Sequence, residues 1–129
     1  MDAKMKDSEV RFNTDDGFGT AIISESAIKK IAAIALNDIQ GVSLLNENKN
    51  IAKIQELISK NHQTTKGIHI KIDGNDLRVS INVMVEYGVE IPVLIQTVQE
   101  KIKASIENMT GLNVISVNVR VPEVKIEQE

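Results

Sequence analysis

GIHIKIDGNDLRVSINVMVEY, residues 67–87, alternates apolar and polar side chains almost without fault. Successive side chains of a β-strand point to opposite faces. Ile68, Ile70 and Ile72, then Leu77, Val79, Ile81, Val83, Val85 and Tyr87, therefore fall on one face of a sheet. Between the two runs lies DGND, Asp73–Asp76, where Asp-Gly supplies the positive φ angles of a tight hairpin. The second strand, at about 3.3 Å per residue, spans roughly 36 Å, and a twist, bend or bulge is expected within it.

Toward the C-terminus this strand runs straight into a helix through VEYGVEIPVLIQTVQ, Val85–Gln99. Tyr87 closes the apolar face of the strand, Gly88 lets the chain turn, and Pro92 falls in the first helical turn, where a missing N–H costs little. Ile91, Leu94, Ile95, Val98, Ile102, Ile106 and Met109 recur at helical spacing and form one stripe. Gly111 stands where a left-handed residue ends the helix. VISVNVRVPEV, Val114–Val124, then alternates again. Ile115, Val117, Val119 and Val121 take one side, and Ser116, Asn118 and Arg120 the other.

Toward the N-terminus the reading is a strand and a helix. Residues 1–16 are polar and are expected to be a flexible arm. GFGTAII gives a strand near Thr20–Ile23; Gly17–Gly19 is a turn, because a phosphate loop follows a strand and opens a helix directly. Ser24 caps the next helix, whose stripe is Ile28, Ile31, Ala35 and Ile39, widened by Ala32 and Leu36, with Gly41 at its end. Val42–Leu45 is a short strand. Ile51, Ile54, Leu57 and Ile58 make a brief helix in a polar insert.

The expected architecture is α+β: two layers, a mixed sheet with two long helices on one face, and β-α-β-β-α-β order with a short helical insert. The plan is ferredoxin-like in element order. One domain covers residues 17–124, after the arm 1–16 and before an acidic tail, 125–129.

Composition excludes several functions. The 129 residues include no cysteine, so neither a disulfide framework nor a thiolate metal site exists. His62 and His69 have no adjacent carboxylate pattern and read as solvated, and no cofactor is expected. Glu86 and Glu90 flank Tyr87-Gly88, yet nothing nearby supplies burial or a matched partner, so catalysis is not expected. A net charge of −3 argues against broad attraction to nucleic acid or anionic lipid. The longest apolar run, Ile31–Leu36, is far short of the roughly 20 residues that span a membrane, and MDAKMKDSEVRF lacks the apolar middle of a signal peptide. A cytoplasmic protein without direct membrane insertion is expected.

The sheet face away from the helices would present His69, Lys71, Arg78, Ser80, Asn82, Met84, Glu86, Ser116, Asn118 and Arg120. An RNA-recognition sheet needs aromatic residues there, and a KH-type reader needs a GxxG loop; neither is present. Lys71, Ser80, Asn82, Met84, Glu86, Asn118 and Arg120 form the candidate protein-interaction face, with Met84 as an adaptable contact at its middle.

An ordered set of short segments adds a resemblance. It runs from Tyr87-Gly88 through Ile91, Val98-Gln99, Ile102 and Ile106-Glu107 to Met109-Thr110-Gly111-Leu112 and Val117-Asn118-Val119. Upstream, GTAIISESAIKKIAAIALNDIQGV (Gly19–Val42) and Lys66-Gly67-Ile68 agree with it. Over about residues 17–124 the chain resembles the alkaline shock protein/general stress protein family, small proteins tied to the cell-envelope stress response of Gram-positive bacteria. The resemblance implies a non-enzymatic cytoplasmic protein that self-associates. It also implies an integral membrane anchoring protein as partner, holding the chain peripherally at the inner face of the membrane. It brings no catalytic or cofactor-binding residues. The alternative is a small-ligand or RNA-binding module using the open sheet face. The polar arm and the insert Asn46–Lys66 depart from the family pattern.

Overall fold

In the computed structural model, which describes residues 9–13, 19–45 and 65–126, eight elements follow one another. They are β1 (Glu9–Asn13), β2 (Thr20–Ser24), α1 (Glu25–Asn37), β3 (Val42–Leu44), β4 (Ile68–Asp73), β5 (Asp76–Glu86), α2 (Ile91–Thr110) and β6 (Asn113–Lys125). The helical insert expected at Ile51–Ile58 lies outside the described residues, as does His62.

The alternating run becomes the hairpin β4–β5. Asp73 and Asp76 are register partners around Gly74-Asn75, and of the two turn residues only Gly74 has a positive φ, +66°. Glycine at the first central position makes this a II′-like turn rather than one with two positive φ angles. β5 is the spine of the sheet. Its Leu77, Val79, Ile81, Val83 and Val85 are 0–1% exposed. Burying each such side chain contributes about 1.5–3 kcal/mol before the entropy of ordering the chain is subtracted.

A strand has two edges. β6 runs parallel along one edge of β5, while β3 and β4, both antiparallel, lie end to end along the other. Asn82 joins them: its carbonyl accepts from the Leu45 N–H and its own N–H donates to the Gly67 carbonyl, both at 3.0 Å. α1 packs on β3 and β4, α2 on β6, and the helices on each other. Both thus cover the face on which β5 buries its odd-numbered residues. The fold is α+β, in two layers on a mixed sheet.

β2 stands apart from that sheet. It pairs antiparallel with β1, from Glu9↔Ser24 to Asn13↔Thr20, in a separate two-stranded ribbon. The flexible arm expected over 1–16 is therefore corrected at Glu9–Asn13, and the first strand does not take a ferredoxin-like place beside β5. The reason is physical: β5 has no edge left for β2, and Val10, only 2% exposed, gives β1 an apolar anchor in the core.

The helices follow their sequence signals, with shifts at the ends. Ser24 Oγ accepts the Ala27 N–H at 3.2 Å, and α1 buries Ile28, Ala32, Ala33, Ala35 and Leu36. The helix ends before Gly41, at a right-handed Asp38; Gly41 belongs to the turn into β3, where its carbonyl accepts the Glu86 N–H at 2.9 Å. α2 buries Val98, Ile102 and Ile106. Met109, expected in that stripe, is 71% exposed. Gly111, at φ +77°, ends the helix and turns Leu112, 2% exposed, into the core in its place.

Two register shifts mark β6. Leu77 pairs with Val114 but Arg78 with Ser116, so Ile115 is the extra residue of a bulge. Val114 consequently faces the core at 2% exposure, and Ile115, expected inward, is 45% exposed. A second shift, between Asn82 and Met84, takes up Pro122, which has no N–H to give a ladder. Tyr87 follows the last residue of β5 and is 76% exposed, so it does not close the apolar face as expected.

Candidate functional site

Parity along the strands builds the site. With odd-numbered β5 residues buried, Asp76, Arg78, Ser80, Asn82, Met84 and Glu86 point away from the helices. β4 adds His69, Lys71 and Asp73 to this face, and β6 adds Ser116, Asn118 and Arg120. The candidate residues named from sequence are brought together here. Ser80 lies between His69 and Asn118; Asn82 is beside Arg120, Lys71 opposite Arg78, and Glu86 beside Lys125. Met84 sits between Ser43 and Glu123. Ser80, Asn82 and Met84 are half-buried among their neighbours, while Lys71, Glu86, Asn118 and Arg120 are exposed. These strands put no aromatic ring on the face.

The charges on this face are ordered in rows. Asp73 and Asp76 face each other at the hairpin end, and one step along, Lys71 faces Arg78. Among the described residues the ion pairs lie elsewhere: Glu25–Lys29 at 3.2 Å, Asp38–Lys101 at 3.7 Å, Glu107–Lys103 at 2.9 Å and Glu9–Arg11 at 3.9 Å.

The outer edge of β6 is built differently. Gln99 Nε2 donates to the Val117 carbonyl at 3.0 Å, and Lys103 Nζ donates to the Val114 carbonyl at 3.0 Å. The Glu107 carboxylate accepts the Val114 N–H at 2.9 Å and also the Lys103 ammonium. The Lys103 hydrogen bond, then the Val114 N–H, hold the Glu107 carboxyl below its ordinary value of 4.5, against a smaller opposing effect of burial. Side chains of α2 thus occupy backbone groups that an added strand would need, and Pro122 interrupts the edge further along. Sequence reasoning missed this clamp. Its only signal is a polar column at spacing four, Gln99, Lys103 and Glu107, which looks like any solvated helix face.

Among the described residues, little on the surface converges for chemistry. A concavity of about 420 Å³ beside the β3–β4 junction is lined by Lys29, Thr65, Lys66, His69 and Asn82, with no carboxylate to partner the histidine. Glu86 and Glu90 are both exposed. Among the described residues no group of three or more His, Asp or Glu is placed to hold a metal ion. Among them, too, no helix is long and apolar enough to cross a membrane.

Comparison with known proteins adds the following. The profile of the alkaline shock protein 23 family, described as having a cell envelope-related function, matches residues 13–126. The chain is 27% identical to Bacillus subtilis YqhY over 107 residues, which are 83% of this chain and 78% of that protein. With YloU of the same organism it shares 27% over 110 residues, 84% of this chain and 91% of YloU. A stress response regulator gls24 homolog of Streptococcus pyogenes serotype M1 is 23% identical over 112 residues, 86% of this chain. The chain spans 62% of that streptococcal relative's length. No solved structure matches the chain.

Proposed function

The chain belongs to the alkaline shock protein 23 family, one of cell envelope-related function, and from that premise we propose a stress-response role performed without catalysis. The protein acts as a self-associating scaffold, and it docks from the cytoplasmic side to a membrane-anchored partner.

One contrast carries this reading. The polar sheet face is left uncovered by both helices, while the adjacent β6 edge is occupied by side chains of α2. A scaffold needs an addressable surface that does not polymerise through open strand edges. A mixed polar face with Met84 on its central strand offers such a surface to proteins, and its lack of rings offers RNA bases nothing to stack on. The name of the streptococcal relatives, stress response regulator gls24 homolog, supports the stress component. On this reading, contact with the envelope comes through a partner.

The test has two parts. Light scattering on the purified chain should report oligomers, and mild cross-linking in native cells should capture an integral membrane protein. Deleting that protein should release the chain from the membrane fraction. A chain that stays monomeric and evenly dispersed, with no captured partner, overturns the proposal. Binding of RNA with a steep salt dependence would move the open face into the alternative class.

A further inference from the structure

We infer that two copies of this chain meet at the hairpin end of the open face, about a two-fold axis that runs across the strands between the Asp73/Asp76 row and the Lys71/Arg78 row. This rests on the self-association reading and gives it a place.

Like charges directly opposite on paired strands destabilise a sheet. The hairpin carries this arrangement twice in succession, Asp73 opposite Asp76 and Lys71 opposite Arg78. The rows are two residues apart along each strand, about 6.8 Å. Among the described residues none of the four side chains joins an ion pair; Asp76 accepts a hydrogen bond from Asn113 Nδ2 at 3.1 Å. A checkerboard of signs would neutralise itself within one sheet. Ordering by rows leaves a negative bar beside a positive one.

Such a block is complementary to itself. Rotation by a half turn about an axis between the bars, in the plane of the face, reverses strand direction and keeps β4 above β4. Asp73 of a second copy then lies over Lys71, and Asp76 over Arg78. Two-fold symmetry repeats both contacts, so all eight charges find partners. Sheets stacked face to face are about 10 Å apart, a gap that a short aspartate and a long lysine or arginine fill from opposite sides. The block carries equal numbers of both signs, so its best complement is the same block reversed, which is a second copy of this chain rather than a generally acidic or basic protein. The far end of the face offers no such block, since Glu86 and Lys125 are already neighbours of opposite sign.

Charge exchange in the full chain tests this. Lys71→Glu with Arg78→Glu makes all four positions acidic; Asp73→Lys with Asp76→Lys makes all four basic. In sedimentation at about 50 mM salt, each variant alone should be monomeric, and an equimolar mixture should recover a heterodimer. Wild-type association should weaken as salt rises to about 500 mM. If wild type associates and each variant still does so alone, or the mixture stays monomeric, this contact is wrong while self-association stands. A wild-type chain that never associates overturns both. Should the double variants melt, single substitutions keep the test open, because the chain has no cysteine of its own. A bismaleimide of about 10 Å span should link Asp76→Cys chains to Arg78→Cys chains in preference to like pairs; equal yields of like and unlike products refute the axis.

Discussion

The two faces of β5 share one backbone and differ in every side chain. Toward the helices stand five aliphatic residues that are 0–1% exposed; away from them stand Asp76, Arg78, Ser80, Asn82, Met84 and Glu86, all exposed or half-buried. The difference teaches that cohesion and recognition are separated here by the parity of the residue number. Substitutions at adjacent positions of one strand should therefore have very different consequences for stability.

The sharpest way to break that comparison is in the core. Ile81→Ala should cost about 2–5 kcal/mol in a denaturant melt, since the cavity it leaves has helix on one side and sheet on the other. A loss below 1 kcal/mol would show that the helix face is not the one holding the fold. Next comes the backbone that closes this face. Gly111→Val should destabilise by at least about 1 kcal/mol. An added Cβ would meet nothing within 4 Å, so the cost starts from the backbone, held at φ +77°. An unchanged melting temperature would mean that the helix ends without a left-handed residue.

The edge clamp yields a smaller, pH-dependent effect. The folded protein holds the Glu107 carboxyl below its ordinary value, so the group stabilises the fold above the unfolded-state pKa. That contribution is lost as pH falls through the lowered folded value. Thermal melts from neutral to acidic pH should show part of the acid loss vanish in Glu107→Gln; parallel curves for the two proteins would separate the clamp from stability. The smallest effect belongs to the open face. Asn118→Ala should change stability by no more than about 0.5 kcal/mol, and a larger loss would mean that the face is structural.

Much of this was legible because the signals are local. The β4–β5 alternation, the Ser24 cap and the left-handed Gly111 follow from residues adjacent in sequence, and so does membership of the open face. The family resemblance read from the segments between Gly19 and Val119 agrees with the family match. What escaped depends on partners distant in sequence. Ile115 looks like an inward residue until the register of β6 against β5 assigns that position to Val114. Glu9–Asn13 looks like solvated arm because Val10, its anchor, and Phe12 are too few apolar residues to mark a core strand within an otherwise polar stretch. Asp73 and Asp76 look like turn chemistry, and only pairing shows them as a row beside a row of opposite sign.

Asn82 has a practical consequence. Leu45 and Gly67, which bracket residues 46–66, are both pinned by the same residue of β5. The two ends of this segment are therefore held together by backbone hydrogen bonds, and each doubling in length of a flexible loop costs only about 0.6 kcal/mol of closure entropy. A fluorescent reporter spliced between these two pinned residues would let the protein be followed in living cells with the hydrogen bonds that join β3 and β4 to β5 left in place.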